Sequence, residues 1–143
     1  MLKYYEIHDS LLESLDQEGD RVSIRLRAVR TEIAKDGPPA PNHFRQEIRL
    51  LLDGAQLTVD STNLPSWLLE GKFLCETSDA EKADCAAEGT IPASLRSAQK
   101  VQLVLAGLHE GSGDFVTIRV QANSLTLEQL AEPQSLQHTR ASI

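Results

Sequence analysis

Short runs in which apolar and polar residues alternate are the dominant pattern of this chain. They cover residues 22–28, 48–52, 57–59, 101–105 and 116–120. Successive side chains of an extended backbone point to opposite faces of a sheet, so this alternation predicts strands with one buried face. The intervening segments lack the length and periodicity of repeated crossover helices, which favours antiparallel pairing. We therefore predict an all-β, mainly antiparallel fold, either a β-sandwich or a partly open barrel of about seven or eight strands.

Two hairpins are predicted from the turn residues between these runs. Asp53-Gly54 separates two runs and favours a tight two-residue turn, because both central positions of such a turn adopt positive φ. A second hairpin is predicted between residues 101–105 and 116–120, which the flexible sequence Gly-Ser-Gly-Asp at 111–114 connects. The phase of the alternation predicts that the odd-numbered residues of the first arm and the even-numbered residues of the second point inwards.

The remaining segments predict at most one short helix. Residues 77–89 are rich in Ala, Asp, Glu and Lys, and Ser78 precedes Glu81 by the spacing of a capping box. So short a helix is marginal without packing, and an acidic loop remains the alternative. Residues 1–132 are expected to form a single domain. Residues 133–143 contain few apolar anchors and are expected to form a flexible C-terminal tail.

Composition and charge argue against several classes of protein. The 143 residues carry a net charge of −7, which repels nucleic-acid phosphates and anionic membrane surfaces. Aromatic residues make up 4% of the chain, too few for the stacking surfaces of single-strand binders. No apolar run approaches the roughly 18 residues of a membrane helix, and no signal peptide is recognisable. We expect a cytoplasmic protein with reduced Cys75 and Cys85 that binds neither nucleic acid nor membrane.

Three short motifs follow one another along the chain. They are Tyr-Glu-Ile-His-Asp-Ser at 5–10, Gly-Asp at 19–20 before an alternating strand, and Gly-Thr-Ile-Pro at 89–92 before the strand at 101–105. In this order they resemble a group of small bacterial β domains with a His-Asp motif near the N-terminus and a proline-containing approach to a late hairpin. The chain departs from that group in its cysteine-bearing insert. The resemblance implies a β-sandwich or barrel and implies no activity.

His8 and Asp9 are the first candidates for chemistry. As a general acid–base pair they would need a partner across a cleft, either His109 with Glu110 or His43. The structural alternative is that Asp9 forms an Asx turn and His8 packs at the end of a sheet. We favour the structural interpretation, and we keep an enzyme or a small-molecule-binding protein as the alternative function.

The sequence predicts no metal and no cofactor. The histidines lack the short mutual spacings of recognised metal sites. The acidic turn at 16–20 lacks the further glutamate that completes a calcium-binding loop. The chain also contains no phosphate-binding glycine loop, no nucleophile elbow and no dinucleotide fingerprint.

Two outward-facing groups of residues are candidates for binding. The arginines of the first group would form a surface for an anionic ligand or partner if their strands adjoin; otherwise they form a solvated face on which Glu47 opposes an arginine. The apolar residues of the second group must be covered by residues 77–89, by the opening strand or by another chain. The first group is Arg25, Arg27, Arg49 and Arg119, and the second is Val104, Ala106 and Phe115.

The sequence therefore predicts a non-enzymatic protein-interaction or accessory module. Its partner would be another protein or a second copy of the chain, because exposed apolar residues on one sheet face are typical of an interface, and a two-fold dimer presents such a face twice.

Overall fold

A computed structural model describes residues 2–34, 41–60, 64–76, 89–109 and 111–136. These residues form nine β-strands and no helix, so they contain no helix able to span a membrane. Every strand pairing is antiparallel. The strands are β1 (Leu2–Glu18), β2 (Arg21–Ile33), β3 (Asn42–Asp53), β4 (Gln56–Val59), β5 (Ser66–Glu76), β6 (Thr90–Pro92), β7 (Ser97–His109), β8 (Phe115–Gln129) and β9 (Gln134–Ser135).

Six of these strands close into a barrel. The hydrogen-bonded order is β1-β2-β3-β8-β7-β5, and β5 pairs again with β1. The short strands β4, β6 and β9 extend the sheet from β8, β1 and β3. The prediction of an all-β antiparallel fold is confirmed. The sandwich alternative is wrong, because β3 pairs with β8 and closes one sheet instead of leaving two sheets to pack face to face.

The barrel interior is filled by apolar side chains. The inward faces predicted from the alternation are confirmed on β2, β3, β7 and β8, where the side chains concerned are at most 2% exposed. An eight-stranded barrel is just wide enough to be filled by side chains, so a six-stranded one holds a packed core. The interior formed by the described residues is therefore occupied by side chains. The inward residues are Val22, Ile24, Leu26, Ile48, Leu50, Leu52, Val101, Leu103, Leu105, Val116, Ile118 and Val120.

One end of the barrel contains a buried polar network. The Tyr5 hydroxyl donates to Gln46 Oε1 at 2.8 Å, and Arg30 Nη1 donates to the same oxygen at 2.9 Å. Arg30, which is 9% exposed, also pairs with Glu32, and Gln129 Nε2 donates to the Tyr5 hydroxyl at 3.2 Å. Burial raises the pKa of Tyr5 above its usual value. The network satisfies the polar groups that this end of the barrel takes out of water.

β1 is a single strand that bends at a bulge. Glu6 pairs with Val29 and Leu11 pairs with Arg27, so five steps along β1 match two steps along β2. Asp9 lies in this bulge with a φ of 65°. The Ser10 hydroxyl accepts a hydrogen bond from the Val29 amide at 3.0 Å and donates to the Glu6 carbonyl at 2.6 Å. It thereby supplies partners to backbone groups beside the bulge.

The hairpin predicted at Asp53-Gly54 is wrong. Asp53 lies opposite Ser124 and Gln56 lies opposite Gln121, so β3 and β4 follow one register along β8. Gly54 has a φ of 62°, and the Ala55 amide donates to the Asp20 carbonyl at 2.8 Å. The glycine therefore kinks a chain that continues beside β8. Pairing with β8 gives β4 the backbone partners that a hairpin would have taken from β3.

The second predicted hairpin is confirmed. β7 and β8 pair from Ser97 opposite Thr126 to Leu108 opposite Phe115, and the His109 amide donates to the Asp114 carbonyl at 2.9 Å. This hairpin forms one wall of the barrel, with its odd-numbered and even-numbered inward residues as the alternation predicts.

Some predictions concern residues outside the described ranges. The choice between helix and loop for residues 77–89 falls on 77–88, and Cys85 and Glu110 also lie outside these ranges. Of the predicted tail at 133–143, residues 137–143 also lie outside the described ranges, and the structure describes only 133–136. Gln134–Ser135 pairs with β3, and the Leu136 amide donates to the His43 carbonyl at 3.2 Å.

Candidate interaction surface

Cross-strand pairing places exposed apolar side chains of β5, β7 and β8 next to one another. Trp67 pairs with Leu108, and Leu108 pairs with Phe115. Trp67 is 38% exposed and Phe115 is 61% exposed, while Leu108 is half-buried between them. We call these three residues the apolar row. Leu69, which lies at an irregularity of the β5–β7 register, adds a side chain that is 51% exposed.

A row of different chemistry lies further along the same strands. Lys72 pairs with Val104, and Val104 pairs with Arg119. We call these three residues the cationic row. Within the described part of the chain, neither Lys72 nor Arg119 forms an ion pair with a carboxylate. The outer face of β5, β7 and β8 therefore presents an aromatic end and a positively charged end.

A groove of about 500 Å³ lies on this face, and the cationic row forms part of its wall. Ala106 forms part of the floor, His8 and Leu69 line the sides, and Glu70 lies opposite Ala106 in the β5–β7 register. Strands β5 and β7 approach closely beside the floor: a Cβ added at Gly107 would lie 2.3 Å from the Trp67 carbonyl oxygen. Gly71 and Ala106 are among the residues that line the groove, and neither has a side chain large enough to fill it.

The predicted patch of Val104, Ala106 and Phe115 lies on this face, but the three residues have different surroundings. Ala106 is 7% exposed, Val104 is half-buried between two cations, and Phe115 is exposed. Phe115 joins Leu108 and Trp67, which sequence reasoning missed. The available signal was that Trp67 is the single tryptophan of the chain and lies in a segment of strand-like composition.

Three of the four predicted arginines come together on the outer face of β2 and β3, and the fourth lies apart. Arg25 and Arg49 are paired across β2 and β3, and Arg27 lies two residues from Arg25, whereas Arg119 lies in the cationic row on β8. Arg25 Nη2 is 2.7 Å from Glu47 Oε2, and Arg27 Nη2 is 3.2 Å from Glu13 Oε1. Arg25 and Arg27 are thus paired with carboxylates on the same outer face.

This charged network gives a prediction about pH. The hydrogen bond from Arg25 lowers the pKa of Glu47, while burial opposes the shift. A carboxylate with a depressed pKa in the folded state contributes stability above its unfolded pKa of about 4.3, and this stability is lost as the pH falls through the folded pKa. We expect Glu47→Gln to lower the melting temperature at pH 7.

The difference in melting temperature between wild type and Glu47→Gln is expected to shrink as the pH falls below about 4. Thermal unfolding followed by circular dichroism between about pH 3 and pH 7 measures it. Glu128→Gln serves as the control, because Glu128 forms no ion pair within the described ranges. A difference that stays constant across this range would contradict the assignment.

The structure brings His8 and Asp9 together but leaves His109 apart. His8 Nε2 lies 3.9 Å from Asp9 Oδ2 and 3.7 Å from Glu6 Oε1, and His8 lines the groove. His109 Nδ1 lies 2.9 Å from Ser112 Oγ in the β7–β8 turn. Ile7, the neighbour of His8 in the chain, packs at Gly71, and Gly71 pairs with Leu105. His109 lies four residues beyond Leu105, which is about 13 Å along β7.

His43 is distant from His8 in the sequence but lies near it in the structure. Its Nδ1 lies 3.1 Å from Thr31 Oγ1 and 3.9 Å from Glu6 Oε2, so Glu6 lies between the two histidines. The Thr31 hydroxyl donates to Glu6 Oε2 at 2.7 Å. Among the described residues, no group of three His, Cys, Asp or Glu side chains is arranged to hold a metal ion.

Comparison of the chain with protein-family models, with curated proteins and with solved structures gave no match. The proposed function therefore rests on the outer face of β5, β7 and β8.

Proposed function

We propose that this chain is a non-enzymatic protein-interaction module that binds its partner on the outer face of β5, β7 and β8. The apolar row carries this proposal, because Trp67 and Phe115 are large, exposed and adjacent through Leu108. Aromatic residues dominate the energetics of protein interfaces, and an exposed apolar patch is typical of a binding surface.

Arg45 supports the same interpretation. Its Cζ lies 5.7 Å from the centre of the Trp67 ring, and its Nη1 donates to the Asp9 carbonyl at 3.2 Å. Burial lowers the pKa of Arg45, as does the nearby positive charge of Arg27. An arginine stacked on an aromatic ring restrains that ring, so less entropy is lost when a partner covers it.

The proposed partner is another protein, and a second copy of the chain is the second candidate. A two-fold dimer would present the apolar row twice. An enzyme or small-molecule binder using His8, Asp9 and His109 is supported less well, since the groove contains His8 but not His109. On the grounds of sequence we also propose a cytoplasmic location and a relationship to the small β domains with the His-Asp motif.

We predict that the chain selects peptides from a random library displayed on phage, and that Phe115→Ser abolishes the selection. Phe115 is the most exposed member of the apolar row, so its loss removes contact area without opening the core. The matched control is Leu2→Ser: Leu2 is 40% exposed at the start of β1, outside the face formed by β5, β7 and β8. Binding of the selected peptides is measured by fluorescence anisotropy.

We expect peptides rich in apolar residues that bind wild type and Leu2→Ser equally and Phe115→Ser about tenfold more weakly or worse. Sedimentation velocity of the same proteins tests the second candidate, a dimer that Phe115→Ser converts to a 15.7 kDa monomer. If wild type is monomeric and selects no peptide that depends on Phe115, the proposed function is wrong.

A further inference from the structure

Two cations on the proposed binding face lack carboxylate partners among the described residues. Lys72 and Arg119 flank Val104 in the cationic row, one on each neighbouring strand. Four other arginines of this acidic chain, Arg21, Arg25, Arg27 and Arg30, have such partners, whereas Arg45, Arg49 and Arg96 have none among the described residues but do not line this groove. Cations left unpaired beside a groove favour an anion from outside the chain.

The spacing of these cations suits a single carboxylate. Neighbouring strands lie about 4.8 Å apart, so the backbones at Lys72 and Arg119 are separated by about 10 Å across β7. Both side chains are long enough to reach an anion above Val104. Val104 and Ala106 place an apolar surface below that anion.

The two rows also have a defined distance from each other. Leu108 is the centre of the apolar row and Val104 is the centre of the cationic row, four residues away on β7. Four residues of a strand span about 13 Å. Glu70 lies between the rows, opposite Ala106, and would repel a carboxylate placed midway.

We propose that the partner presents an extended acidic segment, with an apolar residue on the apolar row and an Asp or Glu four positions away between Lys72 and Arg119. In an extended chain, residues four apart point to the same side and are separated by the distance between the rows. This inference rests on the proposed function, since it specifies the partner of the same surface. A small free anion would occupy the cationic row alone and leave Trp67 and Phe115 uncovered.

Synthetic peptides test this spacing directly. The probe is fluorescently labelled Thr-Phe-Thr-Ser-Thr-Glu-Thr, together with the reversed order Thr-Glu-Thr-Ser-Thr-Phe-Thr, since the segment has two directions along β7. One control replaces Glu by Gln. The other, Thr-Phe-Thr-Ser-Glu-Thr-Thr, has the same composition but places Phe and Glu three residues apart, on opposite sides of an extended chain.

We expect one of the two probes to bind wild type about tenfold more tightly than either control in fluorescence anisotropy. The Lys72→Glu/Arg119→Glu variant is expected to lose this preference for the probe. Lys3→Glu/Arg49→Glu is the matched control, because it exchanges one lysine and one arginine for glutamate, as the test variant does, at positions of β1 and β3 that do not line the groove. If the double variant fails to fold, Lys72→Met/Arg119→Met provides the same test without introducing negative charge.

Ionic strength provides an independent readout. Raising sodium chloride from about 0.05 M to about 0.5 M is expected to weaken the probe more than the Gln control, because salt screens the contact between the cations and the carboxylate. Equal salt dependence of the two peptides would overturn the proposal.

The outcomes separate this inference from the proposed function. If all peptides bind equally and Phe115→Ser abolishes their binding, the acidic specificity is wrong and the interaction surface stands. If inorganic phosphate or acetate competes with the probe while Phe115→Ser has no effect, the site is a small-anion site and the inference is wrong. If no peptide binds, the inference is also wrong, and the library selection then decides whether the surface binds protein.

Discussion

Leu50→Asp is expected to unfold the protein, whereas Arg49→Asp at the neighbouring position leaves it folded. Leu50 is fully buried on the inward face of β3, between Ile24 of β2 and Leu127 of β8. A carboxylate placed there would be desolvated without a partner, which costs several kcal/mol out of a total stability of about 5–15 kcal/mol. Arg49 lies on the outer face, where its replacement meets solvent.

Urea unfolding followed by circular dichroism measures this pair of variants. We expect no cooperative transition for Leu50→Asp, and a midpoint close to that of wild type for Arg49→Asp. Because both substitutions introduce the same residue on the same strand, they differ only in the face that it occupies. Equal destabilisation of the two variants would show that the inward and outward faces of β3 are assigned incorrectly.

Gly107→Ala is expected to destabilise the fold by about 2 kcal/mol. A Cβ at this position would lie 2.3 Å from the Trp67 carbonyl oxygen and 3.1 Å from Leu68 Cα. These are backbone atoms of β5, so the clash is relieved only when β5 and β7 move apart. The change should also alter the fluorescence of Trp67, the single tryptophan, since its own strand is displaced.

Gly111→Ala is the matched control for this substitution. The nearest atom to a Cβ at Gly111 is Cε1 of His109 at 3.1 Å, which is the end of a side chain in a turn and not part of the backbone. We expect a free energy of unfolding within about 0.5 kcal/mol of wild type. Chemical unfolding monitored by tryptophan fluorescence compares the two, and a Gly107→Ala protein as stable as Gly111→Ala would argue against the close approach of β5 and β7.

The alternation predicted the faces of the strands well because it reports a local property of extended chains. The same phase that places Val22, Ile24 and Leu26 inside continues to Ala28 and Arg30. The buried polar end of the barrel was therefore visible in the sequence as a charged residue in an inward position. Its partner Gln46 likewise precedes Ile48 on the inward phase of β3.

Strand pairing was less predictable, because it depends on residues far apart in the chain. Asp53-Gly54 predicted positive φ at both residues, and only Gly54 of the two has it. The local sequence does not reveal that β8 lies beside both flanking segments. Closure of the barrel is a property of the same kind. It follows from the pairing of β3 with β8, which no turn signal specifies.

The candidate site depends on register as well as on face. Trp67, Leu108 and Phe115 become neighbours through two pairings, and the one between β5 and β7 shifts at Leu69. A displacement of one residue would move Trp67 away from Leu108. The sequence therefore predicted an apolar outward face on the last hairpin but not the residue of β5 that completes it.

Chemical-shift mapping tests the central claim most directly. The ¹⁵N-labelled chain is titrated with a peptide selected on wild type. The proposed surface predicts shifts at Leu69, Ala106, Phe115 and the Trp67 indole, with none on the outer face of β2 and β3 around Arg25. Shifts confined to β2 and β3, or no shifts on β5, β7 and β8, would contradict it.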